Sequence, residues 1–462
     1  MSDKKYLFKR NNVWWVKLAV PLSLRSELGY DLRRTTGEKD LDKAIPIRDK
    51  IIEEFKTEFQ IRKVNADDKG IVLRGTEHMQ KTDISDPQYF HKVVDCQYAC
   101  PAHTNVPEYI RLIAQKKYDD AYMLNWESNV FPGILGRTCD RPCEPACRRG
   151  RTHDKPVAIC RLKRVTYDYK NDIDPYLPDI PKVKNGKKIG LIGAGPASLT
   201  VARDLLPLGY EVTIFEKDNK PGGLMRTNIP SFRLPAEVLD EEVYRIIKMG
   251  AELKTNSYID SLEKVIDSFD AVFVGTGAPK GKDLEIPGRK EASENIHIGI
   301  DWLTSIAFEH TKSIGKKVIV IGGGNTAMDC CRTAIRLGAD DVKVTVRSPK
   351  SDMKASDWEL EEAIDEGIPI LDNTSPKEFL LDDEGKLKGM KFEKMEAQYT
   401  DGKRKLIPTG EEIIIECDDV LLAIGQDNAF PWIEKNIGID FNEWDCPIAV
   451  SYTHLTLPTS CC

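Results

Sequence analysis

The stretch KKIGLIGAGPASLTVARDLLPLGYEVTIFEK, residues 187–217, predicts a buried strand, a glycine turn, a helix and a second strand. The stretch KKVIVIGGGNTAMDCCRTAIRLGADDVKVTVR, residues 316–347, repeats this order later in the chain. Strands that alternate with helices favour parallel sheets covered by helices. The two stretches are therefore expected to form two α/β domains of the same design.

The glycine turn of the first stretch follows the G-x-G-x-x-G/A pattern, with Gly193, Gly195 and Ser198 at its three positions. Gly193 permits the tight turn, and Gly195 lets the backbone approach a pyrophosphate at the positive end of the following helix. Glu216 ends the second strand, where a carboxylate can accept hydrogen bonds from ribose hydroxyls. The stretch is expected to form a Rossmann-like dinucleotide site; the alternative is a fold of this class without a cofactor.

The second stretch carries Gly322, Gly324 and Ala327 in the same pattern. At the corresponding strand end it has Arg347, with Lys350 close behind, and no acid. A guanidinium can bind the 2′-phosphate of NADP with forked hydrogen bonds, whereas a carboxylate would repel it. The second site is expected to prefer NADP(H) to NAD(H); the alternative is that Arg347 is only a solvated charge.

The cysteines are the other informative residues. Neither dinucleotide stretch contains C-x-x-C, so no redox disulfide is expected there, and Cys330 and Cys331 are expected to pack inside the protein. Four thiolates can hold a [4Fe–4S] cluster. A structural zinc site, with His103 close to the thiols, is the alternative. The candidate metal ligands form one group: Cys96, Cys100, Cys139, Cys143, Cys147 and Cys160.

The composition fits a globular protein, with 41% hydrophobic and 31% charged residues in a chain of 462. The net charge of −7 gives no general attraction to nucleic acid or to an anionic membrane. No apolar run approaches the roughly 20 residues that a membrane span requires. The start MSDKKYLFKR has no apolar segment after its charges, so a cytoplasmic location is expected.

Six segments carry a resemblance to a known family: GAGPAS, FEK, PGGLMRTNIPSFRLP, GTGAPKG, GGGNTAMD and LLAIGQDN. Through them, residues 89–450 resemble the small subunit of glutamate synthase and its relatives at the N-terminal end of dihydropyrimidine dehydrogenase. The resemblance implies FAD at the first site, NADPH at the second, and an NADPH domain inserted into the FAD domain. It also implies that electrons leave through an iron–sulfur cluster to a partner subunit or a ferredoxin-like carrier. No side chain is expected to act as a catalytic acid or base, since the protein positions the two rings.

The resemblance further implies which thiols belong together. Cys100, Cys139, Cys143 and Cys160 match the ligands of one cluster. Cys96 and Cys147 match two ligands of a second cluster, whose other two should come from an upstream C-x-x-C that TDISDPQYFHKVVD (82–95) lacks. One complete cluster is therefore expected, and the second is left open.

Together, the motifs and the resemblance imply a set of residues that contact the nucleotides. These are Gly193, Gly195, Pro196, Ala197, Ser198, Glu216, Lys217, Gly222, Gly223, Leu224, Arg233, Gly275, Thr276, Gly277, Gly322, Gly324, Asn325, Thr326, Ala327, Arg347 and Gly425.

The same reasoning divides the chain into segments. They are a module at 1–64, a linker at 65–88, an α-helical iron–sulfur domain at 89–182, an FAD domain at 183–304 and 408–450, an NADPH domain at 305–407, and a tail at 451–462. The FAD domain is expected to be incomplete at its C-terminal end, because the family's last flavin-contacting stretch is absent. The tail resembles translated library adapter.

Residues 1–64 resemble the N-terminal module of phage-type tyrosine recombinases, and they are foreign to the glutamate synthase family. A chimeric reading frame and a genuine fusion are both open, and nucleic acid is a partner only in the second case. Alternative functions are an NADPH:ferredoxin-type oxidoreductase and an electron-input subunit of dihydropyrimidine dehydrogenase. A DNA-binding or scaffold fusion with inert nucleotide folds is the non-enzymatic alternative.

Overall fold

The structure is a computed structural model that describes residues 7–10, 13–19, 31–68, 94–152, 155–400 and 403–448. Its chain divides into two compact units, one from residues 1–116 and 141–162 and one from residues 117–140 and 163–462. Most of the expected linker and the whole tail at 451–462 lie outside the described residues. Within the described ranges, no helix has both the length and the apolar character needed to cross a membrane.

The first unit begins with a small antiparallel sheet and a long helix. Strands β1 (Leu7–Arg10), β2 (Val13–Ala19) and β3 (Asp31–Thr35) pair in that order, and helix α1 covers Leu41–Asp68. Ile51 and Phe55 on α1 form a core with Val16 and Leu18. Strands β1 and β2 pair antiparallel, with Leu7 opposite Val16 and Arg10 opposite Val13. The helix continues into the first four residues of the expected linker.

The region that carries the cysteine group is helical. Its helices are α2 (Asp95–Ala99), α3 (Val106–Ala114), α4 (Tyr118–Asn129), α5 (Pro132–Thr138), α6 (Arg149–Thr152) and α7 (Ile159–Asp168). Helices α4 and α5 belong to the second unit, and the division between units falls inside α7. The chain between α3 and α4 includes Lys116, whose φ of 60° is incompatible with a continuous right-handed helix.

The second unit contains two parallel sheets. The elements of the first are β4 (Lys188–Ile192), α8 (Pro196–Leu205), β5 (Glu211–Phe215), α9 (Leu224–Thr227), α10 (Ala236–Lys248), β6 (Glu252–Lys254), α11 (Glu263–Ile266) and β7 (Ala271–Val274). The strand order is β6-β5-β4-β7, all parallel. Strand β4 is therefore an inner strand, and its last four residues are buried.

Strand β8 (Lys280–Gly281) follows, and then the elements of the second sheet begin. They are β9 (Ile296–Ile298), α12 (Gly299–Ala307), β10 (Lys317–Ile321), α13 (Asn325–Arg336), β11 (Asp341–Thr345), α14 (Asp357–Asp365) and β12 (Ile370–Leu371). Three antiparallel strands come next: β13 (Thr374–Leu381), β14 (Leu387–Thr400) and β15 (Lys403–Glu416). Strand β16 (Asp419–Leu422) completes the second sheet in the order β12-β11-β10-β16-β9, and β17 (Gln426–Asp427) pairs with β8.

The sheet pairing differs from the expected boundaries in one respect. Strands β9 and β16 were expected in the FAD domain, because they fall within 183–304 and 408–450, yet both pair in the second sheet. Strand β16 follows the three antiparallel strands and pairs in parallel with β10, and local sequence does not reveal this pairing. The chain then returns to the first sheet, where Trp432 and Ile433 form a core with Ile192 and Leu262.

Helices cover the sheets as the alternating pattern requires. Helices α4 and α5 contribute Tyr122, Trp126 and Ile134 to the core of the first sheet. Helix α13 packs on the second sheet, where Cys330 and Cys331 are completely buried as expected. Burial raises the pKa of the Cys331 thiol to about 12, so this thiol is inert near neutral pH.

Candidate functional site

The first glycine turn follows β4. Gly193 has a φ of 91°, and a Cβ built on it would lie 2.6 Å from the carbonyl oxygen of Gly275. Its N–H donates to the carbonyl of Phe215 at 2.8 Å, which ties the turn to the end of β5. Only glycine combines this backbone conformation with so close a contact.

Gly222 and Gly223, which precede α9, contact the same turn. Gly222 donates its N–H to the carbonyl of Ala194 at 2.9 Å, and a Cβ on Gly223 would lie 2.8 Å from the Cα of Gly195. Three loops therefore meet at the carboxyl edge of the first sheet. We call them the first cradle: residues 193–198, 222–224 and 275–277.

Two buried hydroxyls line the first cradle. Ser198 Oγ and Thr276 Oγ1 have no hydrogen-bond partner among the residues that the structure describes. The first-turn N–H groups of the ten-residue helix α8 have no intrahelical acceptors either, and they carry the positive end of the helix dipole. Donors at a glycine-backed helix start fit the diphosphate of FAD.

Glu216 lies where the sequence places it, at the end of β5, but its carboxylate is already engaged. One oxygen accepts the N–H of Ala194 at 2.8 Å, and the other accepts the N–H of Asp218 at 3.0 Å. The side chain is buried. Glu216 therefore braces the glycine turn from behind, and a role toward a ribose stays a prediction.

The second glycine turn reproduces the first. Gly322 has a φ of 149°, and a Cβ on it would collide with the carbonyl oxygen of Ala423, the residue after β16. Its N–H donates to Thr345 at the end of β11 at 3.0 Å, as Gly193 donates at the end of β5. We call residues 322–327 and 423–425 the second cradle.

The second cradle differs from the first in its charged neighbour. A Cβ on Gly324 would meet nothing within 4 Å, so the backbone at the start of α13 is open to a ligand. Arg347 is exposed, and its guanidinium makes no hydrogen bond or ion pair with any described residue. An open turn with an uncommitted guanidinium beyond the neighbouring strand fits the phosphates of NADPH.

Asn325 is the first residue of α13, and hydrogen bonds to other parts of the chain hold its side chain. Its Oδ1 accepts the N–H of Ser356 at 2.8 Å, and its Nδ2 lies 3.4 Å from the carboxylate of Asp140. The next residues are a half-buried Thr326 and a buried Ala327. Gly425, by contrast, is exposed, with its carbonyl bound by Lys282.

Arg233 is one of the residues expected to contact a nucleotide, and that contact stays a prediction. The structure pairs its guanidinium with Asp329 on α13, with Nη1 at 2.6 and 2.7 Å from the two oxygens. A second nitrogen pairs with Glu359 on α14. Burial raises the pKa of Asp329 to about 7, although the arginine opposes that shift. The residue thus connects the first cradle's loop to the second sheet's helices.

Contacts of adjacent residues connect four of the first unit's five described thiols in two pairs. Arg148, next to Cys147, binds the buried carboxylate of Asp95, next to Cys96, with contacts of 2.9 and 3.2 Å. Burial, and then Cys147, raise the pKa of Cys96, so these two thiols are neighbours. No disulfide joins the described cysteines.

The other pair is joined in the same way. Glu144, next to Cys143, accepts the N–H of Cys160 at 2.9 Å. Tyr109 is completely buried and donates its hydroxyl to the carbonyl of Ile159 at 2.9 Å. Its pKa is raised by burial and then by the nearby thiols of Cys143, Cys160, Cys96 and Cys100. These four thiols lie near one buried ring, and thiolates are the ligand type that holds a [4Fe–4S] cluster.

Cys139 directly follows helix α5, and the division of the chain places it in the second unit. Among described residues, no three thiols, imidazoles or carboxylates are close enough to form a complete metal site by themselves. The assignment of ligands to one cluster or two therefore stays a prediction.

Sequence reasoning missed several residues that shape these sites. Tyr109, Asp95 and the partners of Arg233 act through contacts that no local pattern encodes. Glu144 could have been found, because it directly follows a candidate ligand in the short segment CEPAC.

Two family matches cover most of the chain. Residues 187–446 match the family described as pyridine nucleotide-disulphide oxidoreductase. Residues 89–174 match the family described as dihydropyrimidine dehydrogenase domain II, 4Fe-4S cluster. The matches indicate FAD and NADPH as nucleotides and a [4Fe–4S] cluster as the metal group.

Curated relatives extend these matches. The β subunit of an NADPH-Fe(3+) oxidoreductase from Geobacter sulfurreducens is 34% identical over 81% of this chain, which spans 58% of that protein's length. The NADPH glutamate synthase small chain of Azospirillum brasilense is 32% identical over 71% of this chain and 72% of its own. A Salmonella typhi homolog of the NAD-dependent dihydropyrimidine dehydrogenase subunit PreT is 32% identical over 72% of this chain and 76% of its own. The chain belongs to the pyridine nucleotide-disulphide oxidoreductase family, within the glutamate synthase small-chain-like iron–sulfur flavoenzymes.

Proposed function

We propose that this chain is an NADPH-dependent FAD and iron–sulfur oxidoreductase whose electron acceptor is a partner subunit or a ferredoxin-like carrier. The observation that carries the proposal is the duplicated cradle. Gly193 and Gly322 each close against a strand-end backbone and each open a helix whose N–H groups face the turn. The two sites differ at the end of the second strand, where the first has the carboxylate of Glu216 and the second has the guanidinium of Arg347. This is the position at which a site can distinguish a ribose hydroxyl from a 2′-phosphate.

The residues divide the work between two nucleotides. In the first cradle, the α8 N-terminus, Ser198 and Thr276 would hold the FAD diphosphate. In the second, the α13 N-terminus would hold the NADPH diphosphate and Arg347 its 2′-phosphate. Bound FAD exchanges electron pairs with a nicotinamide and single electrons with a cluster, chemistry that no side chain provides.

The relatives support an acceptor beyond this chain. The names NADPH-Fe(3+) oxidoreductase subunit beta and glutamate synthase small chain both describe one part of a larger enzyme. We therefore propose that a second protein accepts the electrons. We also propose that the cysteines near Tyr109 hold the cluster from which this second protein receives them. A cytoplasmic location stays a prediction.

Arg347→Ala tests the nucleotide assignment. The variant should weaken NADPH binding roughly tenfold or more, by loss of a charge-assisted hydrogen bond, and leave NADH binding within about twofold. Lys386→Ala is the control, because it removes an exposed cation from the turn between β13 and β14. Equal losses for NADPH and NADH in Arg347→Ala would contradict the assignment.

The enzyme itself is tested on protein purified without oxygen. Flavin, iron and sulfide should be present, and NADPH should bleach the flavin absorbance. A colourless protein that binds DNA would instead favour a scaffold led by residues 1–64.

A further inference from the structure

One segment, residues 223–233, leaves the first cradle through α9 and contacts α13, the helix that begins in the second cradle. At its start, Gly223 packs against the backbone of Gly195. Ten residues later, Arg233 reaches Asp329 on α13, with Nη1 at 2.6 and 2.7 Å from the two carboxylate oxygens. The two ends of this segment therefore contact two different nucleotide sites, the Gly195 backbone of the first cradle and helix α13 of the second.

The contact at the second end is buried. The side chain of Arg233 is 10% exposed, that of Asp329 7% and that of Glu359 3%. Breaking a buried pair leaves an uncompensated charge, so the geometry of such a pair is strongly held. Arg233 is thus a rigid connection between the segment and the second sheet's helices.

The position of Asp329 on α13 makes this connection relevant to the cradle. Asp329 is four residues after Asn325, so the two residues lie on the same side of the helix, one turn apart. The first turn of α13 forms the second cradle. A shift at Asp329 would therefore move the backbone N–H groups of that first turn.

The neighbouring residue adds a second attachment. The ring of Phe232 lies beneath the guanidinium groups of Arg332 and Arg336, at 4.9 and 3.9 Å from its centroid. Arg332 also pairs with Glu359 at 3.3 Å. The segment, α13 and α14 are consequently joined in one charged network.

We infer that Arg233 is a positioning residue that sets the placement of the pyridine nucleotide relative to the flavin. The inference rests on the proposed function, because it assumes a nucleotide in each cradle. Arg233 binds carboxylates of the scaffold, so its effect is on geometry. A misplacement of about 1 Å between reacting groups can lower a rate by roughly a hundredfold.

Arg233→Lys is the test, because lysine keeps the charge but loses the forked geometry that bridges Asp329 and Glu359. Arg226→Lys is the matched control. Arg226 lies on α9 in the same segment, with a side chain 8% exposed, but it pairs with Asp240 and the carbonyl of Pro221, and these residues all belong to the first sheet's part of the chain. Both variants lose one buried arginine, and only the first loses the connection to α13.

Three measurements distinguish an effect on the placement of the nucleotide from a general loss of folding. Both variants should retain FAD and bind NADP⁺ within about threefold of the parent, since neither cradle loses a donor. The rate of flavin reduction at saturating NADPH should fall roughly ten- to a hundredfold in Arg233→Lys and stay within about twofold in Arg226→Lys. The long-wavelength charge-transfer absorbance of the NADP⁺ complex of the reduced flavin should weaken in Arg233→Lys alone.

Hydrogen exchange gives a readout that does not require turnover. In Arg233→Lys, the amides of 228–235 and of the first two turns of α13 should exchange faster, and in Arg226→Lys only those of 221–240. Equal reduction rates and equal charge-transfer bands in the two variants would overturn the inference. Loss of FAD or of NADP⁺ binding in Arg233→Lys would also overturn it, because the residue would then act on binding. Failure of NADPH to reduce the parent's flavin would instead refute the proposed function.

Discussion

Gly195→Ala and Gly324→Ala form a crossed pair that separates the two nucleotide sites. Each glycine is the last residue before its helix, and each has ordinary extended backbone, with φ of −79° and −106°. A Cβ on Gly195 would have its nearest neighbours at 3.9 and 4.0 Å, and one on Gly324 would meet nothing within 4 Å. The folded protein therefore accommodates both methyl groups.

The cost to folding is small because two terms oppose each other. Alanine reduces the entropy of the unfolded chain, a gain of about 0.4–1 kcal/mol, and it loses the modest preference of helix caps for glycine. We expect a change in the free energy of unfolding of less than about 1 kcal/mol. In a protein of this size that shifts Tm by no more than roughly 2–4 °C.

The cost to binding is larger and is specific. The methyl group stands where a diphosphate must approach the backbone, so at least one hydrogen bond to a charged oxygen is lost. Such a bond contributes about 1.5–3 kcal/mol, which raises Kd roughly 10- to 150-fold. Gly195→Ala should lose affinity for FAD, and Gly324→Ala should lose affinity for NADP⁺.

The assays are FAD titration of deflavinated protein, calorimetric NADP⁺ titration of flavin-loaded protein, and thermal unfolding. Gly338→Ala is the control, because it should lower stability without changing either nucleotide affinity. Its φ is 95° and a Cβ there meets nothing within 4 Å, so it should cost about 1–2 kcal/mol of stability and leave both affinities intact. If either cradle variant weakened both ligands equally, the assignment of one nucleotide to each cradle would be refuted.

Three further predictions concern the helical region and Glu242, which lies on α10 and accepts N–H groups of α5. Tyr109→Phe removes the hydrogen bond to Ile159, so the free energy of unfolding should fall by about 1 kcal/mol. Iron should also be released faster in air, as measured by iron assays over time. An unchanged rate of iron release would exclude a role of Tyr109 in supporting the cluster. Burial raises the pKa of Glu242 to about 7, above its unfolded value, so stability should decline as pH rises from about 4.5 to about 7. The variant Glu242→Gln should flatten that slope in Tm measured against pH, and an unchanged slope would contradict the assignment. Cys139→Ser should abolish the signal of a reduced cluster and spare flavin reduction by NADPH; loss of both would indicate that the cluster is structural.

The sequence was sufficient for the parts of the fold that local chemistry encodes. The glycine turns at Gly193 and Gly322, with a buried strand before and a helix after, follow from patterns a few residues long. Both turns close as their spacing predicts. The α/β class and the burial of Cys330 and Cys331 were predictable for the same reason.

The remainder depends on contacts between distant segments. Arg233 pairs with a residue 96 positions away, and Glu242 accepts the N–H groups of Gly133 and Ile134, more than 100 positions away. Strand β16 joins β10 across an antiparallel hairpin, so its place in the second sheet follows from packing. Such contacts are set by tertiary structure, which is why local sequence does not show that Arg233 pairs with Asp329 or that Glu216 accepts the N–H of Ala194.

The most direct test of the account is an anaerobic titration of the full chain with NADPH, followed by visible absorbance and by the electron paramagnetic resonance of the cluster. If two nucleotide cradles and a thiolate-bound cluster act in one chain, the protein should accept more reducing equivalents than the electron pair that its flavin holds. The surplus should appear as a cluster signal. Reduction that stops at the flavin, in protein without iron or sulfide, would contradict the account.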